Sequence, residues 1–377
     1  MPTTATPTLA HWMLQEIHEQ PATLAATLAR YADQNGFRDD TCEPIREWLS
    51  ALKGDLVIAA SGSSRHAGMV AEITIEDLSG IAVDVEYASE YCYRCEQSLK
   101  DAAVMIVSQS GETADTLAAL RKAHAAGHKT FAITNVPAST MATEATVSMP
   151  TEAGRERAIP ATKSFTGQLL VLHLIALLAA ESRDTLTDAA IDQHLAAAAA
   201  LPELIASQLE GWEKSVREVA EKYRDVENFL FLGRGVHYPI AREGALKLKE
   251  SAYIHAEGYP SGELKHGPNA LVSEKTPLVF LATVDHNEPD SVERYQRNLQ
   301  LMADMKAQGA NILAIANEGD GEVEALATHV IPVKPTSEWL LPICEVIPFQ
   351  FFSYFMSINN GIDVDRPRNL VKAVVEE

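Results

Sequence analysis

Apolar runs that end at small-residue turns recur in the two halves of the chain. Leu56–Ala60 is a run of five apolar residues followed by Ser61–Ser64, and Phe229–Leu232 is an apolar run followed by Gly233–Gly235. A helix-patterned stretch follows each turn. Continuous apolar runs of this length predict strands that are buried on both faces of a parallel sheet. Strands that alternate with helices predict an α/β fold.

A second pair of matching segments indicates an internal duplication. Ala126–Asn135 is echoed by Gln308–Asn317, and each segment leaves a helix at a glycine and enters an apolar strand. We therefore predict two tandem, doubly wound parallel-sheet domains, each a three-layer α/β/α unit, with a helical N-terminal segment and a C-terminal tail. In such folds ligands bind beyond the carboxyl ends of the strands, where both small-residue turns fall.

Changes in composition mark the expected boundaries. Thr8–Gly36 has the pattern of a leading helix pair, and Thr187–Glu221 is rich in alanine, carries Pro202 and predicts helices that join the domains. The expected segments are 1–38 (N-terminal helices), 39–186 (first α/β domain, phosphate-binding), 187–221 (helical linker), 222–360 (second α/β domain) and 361–377 (active-site tail).

Composition and charge restrict the classes of partner. A net charge of −21 over 377 residues argues against nucleic-acid binding, which depends on cationic groups that neutralise phosphates. Met1–Thr4 lacks the basic and apolar regions of a signal peptide. The apolar run 169–180 is interrupted by His173 and is shorter than the roughly 20 residues that span a bilayer. We expect a soluble, cytoplasmic protein with no membrane or nucleic-acid partner.

The four cysteines predict neither a disulfide framework nor a metal centre. Cys92 and Cys95 have the spacing of half a zinc or redox site, but no second pair or histidine cluster accompanies them. We expect reduced, structural thiols, no metal, and no organic cofactor.

Ser108–Thr113 is the first candidate binding site. It follows the apolar run Val104–Val107 and opens a helical stretch, so its three hydroxyls and one glycine lie where a helix exposes free N–H groups. Such a turn favours a phosphate. It lacks the Gly-Lys-Ser/Thr of nucleotide hydrolases, which indicates a small phosphate monoester. The alternative is a plain helix N-terminus capped by Ser110.

The second half carries Ala282–Asp285 where the first has these serines. We therefore expect one phosphate site per chain.

Several longer motifs carry a resemblance to a known family. They are Glu16–Pro21, Gly62–Gly68, Ser108–Thr113, Ala161–Phe165, Glu243–Glu250, Glu263–Pro268 and Asp365–Leu370. Through them the chain resembles the double sugar-isomerase-domain (SIS) proteins along almost its whole length. The resemblance is strongest to the isomerase half of glucosamine-6-phosphate synthase and extends to the stand-alone glucosamine-6-phosphate deaminases.

The resemblance implies roles for individual residues. Glu250 would move a proton between sugar carbons 1 and 2, His266 would open the ring, Lys372 would lie beside the carbonyl carbon, and Lys247 would belong to the same catalytic group. It also implies a homodimer in which a neighbouring subunit delivers His266. The implied phosphate-binding residues are Gly62, Ser63, Ser64, Ser108, Gln109, Ser110 and Thr113, and the implied sugar-binding residues are Ile159, Ala161 and Lys163.

The chemistry of these side chains agrees with those roles. Interconversion of an aldose and a ketose needs one carboxylate that takes and returns a proton, and Glu250 is suitable. Ring opening needs a group that titrates near neutrality, as histidine does. Lys372 could form an imine with the open-chain ketone or stabilise its oxyanion. Each residue also has an alternative without a catalytic role. Glu250 could be a charge on a helix face, His266 could be the partner of a buried carbonyl, and Lys372 could be a solvated residue of the tail.

Two departures from the synthases bear on the substrate. Residue 2 is Pro2, where those enzymes carry a nucleophilic cysteine after the initiator methionine, so we expect no glutamine hydrolysis by that route. The segment Arg155–Lys163 has Ala158 and Ala161 where the synthases have glycine and serine, and it adds Pro160.

We predict an enzyme that converts glucosamine 6-phosphate to fructose 6-phosphate and ammonia. The alternatives are synthesis of glucosamine 6-phosphate from free or separately supplied ammonia, a deglycase for phosphorylated sugar–amine adducts, and a non-catalytic sugar-phosphate regulator.

Overall fold

The N-terminal part of the protein is a helix pair followed by a short ribbon. The computed structural model describes residues 11–95 and 101–374. In it α1 spans Trp12–His18 and α2 spans Gln20–Tyr31, which confirms the predicted helix pair. The antiparallel strands β1 (Ala32–Asp33) and β2 (Gly36–Phe37) follow, and no sequence pattern predicted this ribbon.

The first half of the chain then alternates helices and strands. Its elements are α3 (Asp39–Ser50), β3 (Leu56–Ala60), α4 (Gly62–Ser79), β4 (Val83–Tyr87), α5 (Ala88–Tyr91), β5 (Ala103–Val107), α6 (Ala114–Ala125), β6 (Thr130–Thr134), α7 (Thr140–Glu144), β7 (Val147–Pro150) and α8 (Lys163–Ser182).

Two helices lead into a second set of strands. They are α9 (Asp188–Ala206) and α10 (Leu209–Lys222). The elements that follow are β8 (Asn228–Gly233), α11 (His237–Lys247), a π-helical turn (Leu248–Ala252), β9 (His255–Pro260), two 3₁₀ turns (Ser261–His266 and Pro268–Leu271), β10 (Leu278–Ala282), α12 (Pro289–Ala307), β11 (Ile312–Asn317), α13 (Gly321–Leu326), β12 (His329–Val333) and α14 (Leu341–Asn359).

Both sheets have five parallel strands in the same order. The first sheet runs β4-β3-β5-β6-β7 and the second runs β9-β8-β10-β11-β12. This repeat confirms the predicted pair of doubly wound sheets. In each sheet the second strand along the chain lies on one side of the first strand, and the third strand lies on its other side. A topological switch point therefore lies between the first and third strands, which are β3 and β5 in the first sheet and β8 and β10 in the second. A crevice for a ligand forms at such a point, at the carboxyl ends of those strands.

Two apolar helices form the centre of the protein. All residues of α8 from Lys163 to Ala180 are buried, and α14 is buried from Leu341 to Ser357. Among the described residues, these two helices are long and apolar enough to cross a membrane, but 94% of the apolar window of each is buried inside the protein. This is the burial that core helices of a globular fold show, because their apolar surface is removed from water by packing.

Candidate active site

A cavity of about 170 Å³ lies at the switch point of the first sheet. It opens beyond the carboxyl ends of β3 and β5, where the sequence predicted a ligand. Its lining residues are Ser61, Ser63, Ser64, Val107, Ser108, Gln109, Ser110, Thr113, Thr116, Ile159, Ala161, Glu250, Leu370, Val371 and Lys372. The fold thus brings together residues from both halves and the tail. Of the predicted site residues, Gly62, Lys163, Lys247 and His266 are not among those that line it.

The loop between β5 and α6 holds its hydroxyls together by bonds within the loop. Ser108 Oγ accepts a hydrogen bond from the Gly111 N–H at 3.2 Å, and Ser110 Oγ accepts one from the Glu112 N–H at 3.2 Å. Both serine oxygens lie 3.4 Å from Thr113 Oγ1. Thr113, not Ser110, occupies the cap position of α6. Three hydroxyls therefore converge on one wall of the cavity at the positive end of a helix.

Gly111 is required by the shape of this loop. Its φ of +66° lies in the left-handed region that side chains rarely adopt. A Cβ atom at this position would also overlap Ser139 Oγ and lie 2.9 Å from Thr134 Oγ1, which is closer than van der Waals contact allows. Both the conformation and the close packing therefore select glycine.

Glu250 lies on the π-helical turn that follows α11. Its Oε2 atom is 2.6 Å from Lys247 Nζ, and the same nitrogen lies 3.2 Å from both Glu243 Oε1 and Ser63 Oγ. The Lys247 side chain has no exposed surface, so it reaches the site only through these partners. π-helical turns are rare and are frequent at functional sites. This one places Glu250 in the wall of the cavity.

Glu243 anchors the same cluster to the first half of the chain. It accepts a hydrogen bond from Ser63 Oγ at 2.8 Å, and its Oε2 atom lies 2.7 Å from His66 Nδ1. Burial opposes its ionisation, but the Lys247 charge and the His66 bond outweigh it and lower the pKa of Glu243 to about 2. We did not predict Glu243 or His66 from the sequence. The i,i+4 spacing of Glu243 and Lys247 is a signal that could have found this pair.

Lys372 reaches the cavity from the C-terminal tail. Its Nζ atom is 2.6 Å from Glu156 Oε2 and 2.7 Å from the Ala158 carbonyl oxygen. Lys163, by contrast, directs its Nζ to Glu19 Oε2 at 2.7 Å. Lys372 is therefore attached to the loop that also carries Ile159 and Ala161, whereas Lys163 is attached to the N-terminal helix pair.

Three further contacts hold the tail in place. The Arg368 N–H donates to the Tyr253 hydroxyl at 2.7 Å, and the Arg368 guanidinium lies 4.2 Å from the centre of the Tyr253 ring. The Ala114 N–H donates to the Val374 carbonyl oxygen at 2.9 Å. The tail is thus fixed on both sides of Lys372, to the turn that carries Glu250 and to the first turn of α6.

His266 is exposed at the end of the 3₁₀ turn Ser261–His266. The preceding Lys265 pairs with Asp304 of α12, with 2.6 Å between Nζ and Oδ2. Within one chain, His266 is therefore presented at the surface and is not among the residues that line the cavity.

The corresponding edge of the second sheet is filled by side chains. His237 lies between Glu345 and Glu338, at 2.8 Å from Glu345 Oε1 and 3.2 Å from Glu338 Oε1. Thr283 donates to Glu345, and Ser291 donates to Glu338. All of these side chains are buried. Hydrogen-bonded and charged side chains thus occupy the place that in the first sheet is a cavity.

The described residues, 11–95 and 101–374, contain no group of three or more histidine, cysteine or acidic side chains arranged to hold a metal ion.

Comparison with known proteins agrees with the duplicated architecture. Two segments, residues 51–178 and 222–359, match the SIS domain. The chain belongs to the SIS-domain family. Its two SIS domains correspond to the two parallel sheets, with the cavity at the switch point of the first.

Curated relatives of this SIS-domain protein match it over nearly its whole length. The glutamine–fructose-6-phosphate aminotransferase (isomerizing) of Chlorobaculum tepidum is 41% identical over 370 residues, which are 97% of this chain and 58% of that protein. The same enzyme of Pseudomonas putida is 42% identical over 368 residues, 97% of this chain and 59% of that protein. The chain therefore spans less than two thirds of the length of these relatives.

Solved structures share the two-SIS-domain fold. The C-terminal domain of glucosamine-fructose-6-phosphate aminotransferase from Francisella tularensis superposes with a TM-score of 0.89 at 34% identity, covering 97% of this chain and all of that one. A glucosamine-6-phosphate deaminase from Thermotoga maritima has a TM-score of 0.69 at 22% identity, covering 96% of this chain and 99% of that one. At that identity the second likeness concerns the fold alone.

Proposed function

We propose that the protein is a phosphosugar isomerase that converts glucosamine 6-phosphate to fructose 6-phosphate and ammonia. The observation that carries the proposal is that a carboxylate (Glu250), an amine (Lys372) and a hydroxyl-lined loop (108–113) line one cavity. A proton carrier, a cation and an anion cradle are the groups that isomerisation of a phosphorylated sugar needs. The SIS match and the aminotransferase relatives support the substrate class.

The phosphate binds at the loop of Ser108, Ser110 and Thr113. The hydroxyl oxygens of Ser108 and Ser110 each lie 3.4 Å from that of Thr113 at the start of α6. The helix dipole and hydroxyl donors both favour an anion there, and a hydrogen bond to a charged group contributes roughly 1.5–3 kcal/mol. Ser63 and Ser64 complete the cradle from the other side of the switch point.

Glu250 carries the proton between carbons 1 and 2 of the open-chain sugar. It removes the proton from carbon 2, which bears the amine, an enolamine forms, and the protonated carboxyl returns the proton to carbon 1. The product is an imine at carbon 2. Water hydrolyses this imine, so that the carbon–nitrogen bond breaks, the ketone of fructose 6-phosphate forms and ammonia leaves. Lys247, 2.6 Å away, holds the carboxylate in position. Lys372 on the C-terminal tail provides a positive charge or an amine for the oxygen-bearing carbon.

His266 acts in ring opening and comes from a second copy of the chain. The exposure of His266 on a turn that is tied to α12 supports this assignment, because the histidine is presented outward and not to the cavity of its own chain. The functional unit we propose is a homodimer with shared active sites.

The reverse reaction is the second candidate function. The aminotransferase names of the relatives favour it, since those enzymes are named for making the amino sugar. The loop around Ala158 and Ala161 borders the cavity and carries the choice of sugar. Because this loop differs from that of the synthases, a phosphorylated sugar–amine adduct, which is the substrate of a deglycase, is also tested.

A panel of substrates tests the proposal. The purified 377-residue chain is incubated with glucosamine 6-phosphate, its epimers, and phosphorylated sugar–amine adducts, and released ammonia and ketohexose phosphate are both measured. We expect glucosamine 6-phosphate to yield both products in equal amounts. Turnover of another compound alone would overturn the substrate assignment, and sugar-phosphate binding without turnover of any compound would indicate a regulator. Fructose 6-phosphate with ammonium chloride tests the reverse reaction in the same assay.

A further inference from the structure

Lys372 is bound to a buried carboxylate that does not line the cavity. The Lys372 side chain is 26% exposed, whereas that of Glu156 has no exposed surface. The distance between Lys372 Nζ and Glu156 Oε2 is 2.6 Å. The Ala158 and Ile159 carbonyl oxygens lie 2.7 and 3.4 Å from the same nitrogen. Three acceptors, one of them charged, therefore surround one amine.

The loop is built to hold Glu156 as an anion. Its Oε1 atom accepts hydrogen bonds from the Thr162 N–H at 3.0 Å and the Ser164 N–H at 3.1 Å, and its Oε2 atom accepts one from Ser164 Oγ at 2.6 Å. Burial opposes its ionisation, but the charge of Lys372 and these donors outweigh it and keep the pKa of Glu156 below its usual value. Both carboxylate oxygens have hydrogen-bond partners, so these contacts fix the orientation of the Glu156 carboxylate as well as its ionised state.

The far side of the same loop is braced by the N-terminal helices. Glu16 of α1 accepts hydrogen bonds from the backbone N–H groups of Arg157 and Ala158. Desolvation raises the pKa of Glu16 to about 7. The other charged groups around the amine are Glu250 across the cavity, Lys163 with its partner Glu19, and Arg157, whose guanidinium lies over the Trp12 ring. Within the part of the chain that the structure describes, Glu156 is the one carboxylate that forms an ion pair with Lys372.

We propose that Glu156 is a positioning residue that fixes Lys372, as a cation, at the sugar-facing edge of the cavity. In this state Lys372 donates hydrogen bonds and stabilises a negative oxygen on the open-chain sugar. Its lone pair becomes available only after a proton leaves. The ion pair is a property of the protein by itself, and only its effect on turnover rests on the proposed function.

Competitive labelling of lysines tests the ion pair without a substrate. The protein is treated at one fixed pH with trace amounts of an amine-specific acetylating reagent, and the labelling rate of Lys372 is measured by peptide mass spectrometry. Glu156 Oε2 and two carbonyl oxygens hold Lys372 Nζ as an ammonium donor, and only the free amine reacts, so Glu156→Gln should raise this rate by about 10-fold or more. An unchanged or lower rate would overturn the proposal.

Two further variants make the result specific. Glu19→Gln removes the partner of Lys163 from the neighbouring pair and should leave the labelling rate of Lys372 unchanged. Glu156→Asp keeps the charge but shortens the side chain, so it should raise the rate by less than Glu156→Gln does. If Glu156→Gln does not fold, this aspartate variant decides the question, because an unchanged rate in it contradicts a contact that depends on the position of the carboxylate.

The effect on turnover is measured separately. With the substrate identified from the panel, Glu156→Gln should lower kcat by about 10-fold or more while KM changes less than about 3-fold, since the phosphate loop is untouched. An unchanged kcat would overturn the positioning role. If the wild-type chain turns over no sugar phosphate, the proposed function fails, whereas the labelling result still stands for or against the ion pair.

Discussion

Lys247 Nζ lies 2.6 Å from Glu250 Oε2, with a fully buried lysine holding a carboxylate that faces a cavity. The same nitrogen reaches Glu243 and Ser63. Since Ser63 belongs to the first half of the chain and Glu250 to the second, this one side chain joins the two halves at the site. The positive charge of Lys247 is needed to balance the buried Glu243 carboxylate at every pH at which Glu243 is ionised.

Replacing Lys247 should therefore damage both stability and activity. Lys247→Met leaves Glu243 as a buried carboxylate without its principal countercharge, which costs about 3–5 kcal/mol in the free energy of unfolding. Lys249→Met, at an exposed position two residues along, should change that free energy by less than about 0.5 kcal/mol. Urea unfolding of both variants provides the measurement. Equal stability of the two would refute the structural role of the buried lysine.

A comparison of Gly111 with Gly127 distinguishes the two reasons for which a position requires glycine, a left-handed backbone conformation and close packing. Both have left-handed φ angles, +66° and +80°, but a Cβ atom meets Ser139 only at Gly111, and nothing lies within 4 Å at Gly127. Gly127→Ala should cost about 1–2 kcal/mol of stability for the conformation alone. Gly111→Ala should cost more and should also weaken sugar-phosphate binding, measured by calorimetry. Similar losses for the two variants would argue against a packing requirement in the phosphate loop.

The strands were predictable because burial on both faces leaves a continuous apolar run in the sequence. Leu56–Ala60 and Phe229–Leu232 lie within β3 and β8, and the repeated strand order follows from the repeated pattern. The two-residue strands β1 and β2 are too short to leave such a pattern. The π-helical turn at Leu248–Ala252 was also unpredicted, since its sequence is that of an ordinary helix.

The site was only partly predictable, because sequence does not distinguish a buried charge from a solvated one. Ser108, Ser110 and Thr113 line the cavity, as their place after a strand predicted, and their binding of a phosphate stays a prediction. Glu156 and Glu243 were missed because contacts that bury them come from distant parts of the chain, Lys372 for Glu156, and Ser63 and His66 for Glu243. Lys247 is close to Glu243 in sequence, but a glutamate and a lysine four residues apart are equally typical of a solvated helix face. The direction of Lys163 towards Glu19 is likewise set by tertiary packing.

The shared site can be tested by mixing two inactive proteins. His266→Ala lacks the proposed ring-opening group, and Glu250→Gln lacks the proposed proton carrier. If a neighbouring subunit supplies His266, mixed dimers contain some sites with both intact groups, and part of the activity should return. The mixture is assayed for ammonia release after subunit exchange has been verified by native mass spectrometry. Exchange without recovered activity would exclude a site shared in this way.

The buried His237 cluster should make stability depend on pH. Burial opposes protonation, but the charges of Glu345 and Glu338 outweigh it and raise the pKa of His237 from 6.5 to about 10. Because the folded pKa is higher than the unfolded one, the cluster stabilises the fold fully below pH 6.5. This stabilisation is lost as the pH rises through about 10.

His237→Gln should therefore destabilise the protein most at or below pH 6.5 and progressively less towards pH 10. Urea unfolding of wild type and variant across this range gives the difference in free energy at each pH. His255→Gln, at an exposed position, controls for the loss of a histidine and should have little effect at any pH. A difference for His237→Gln that is constant or grows with pH would contradict the proposed charge state.

Glu250→Gln provides the most direct test of the proposed chemistry. The variant keeps the shape of the side chain and its bond to Lys247 but cannot carry a proton. Wild type and variant are compared for ammonia release from glucosamine 6-phosphate, and for binding of a hexitol 6-phosphate that cannot isomerise. We predict that turnover falls by about 10²- to 10⁴-fold while the Kd of the hexitol phosphate changes less than about 3-fold. Turnover near the wild-type rate in the folded variant would contradict the account, because the base would then lie elsewhere.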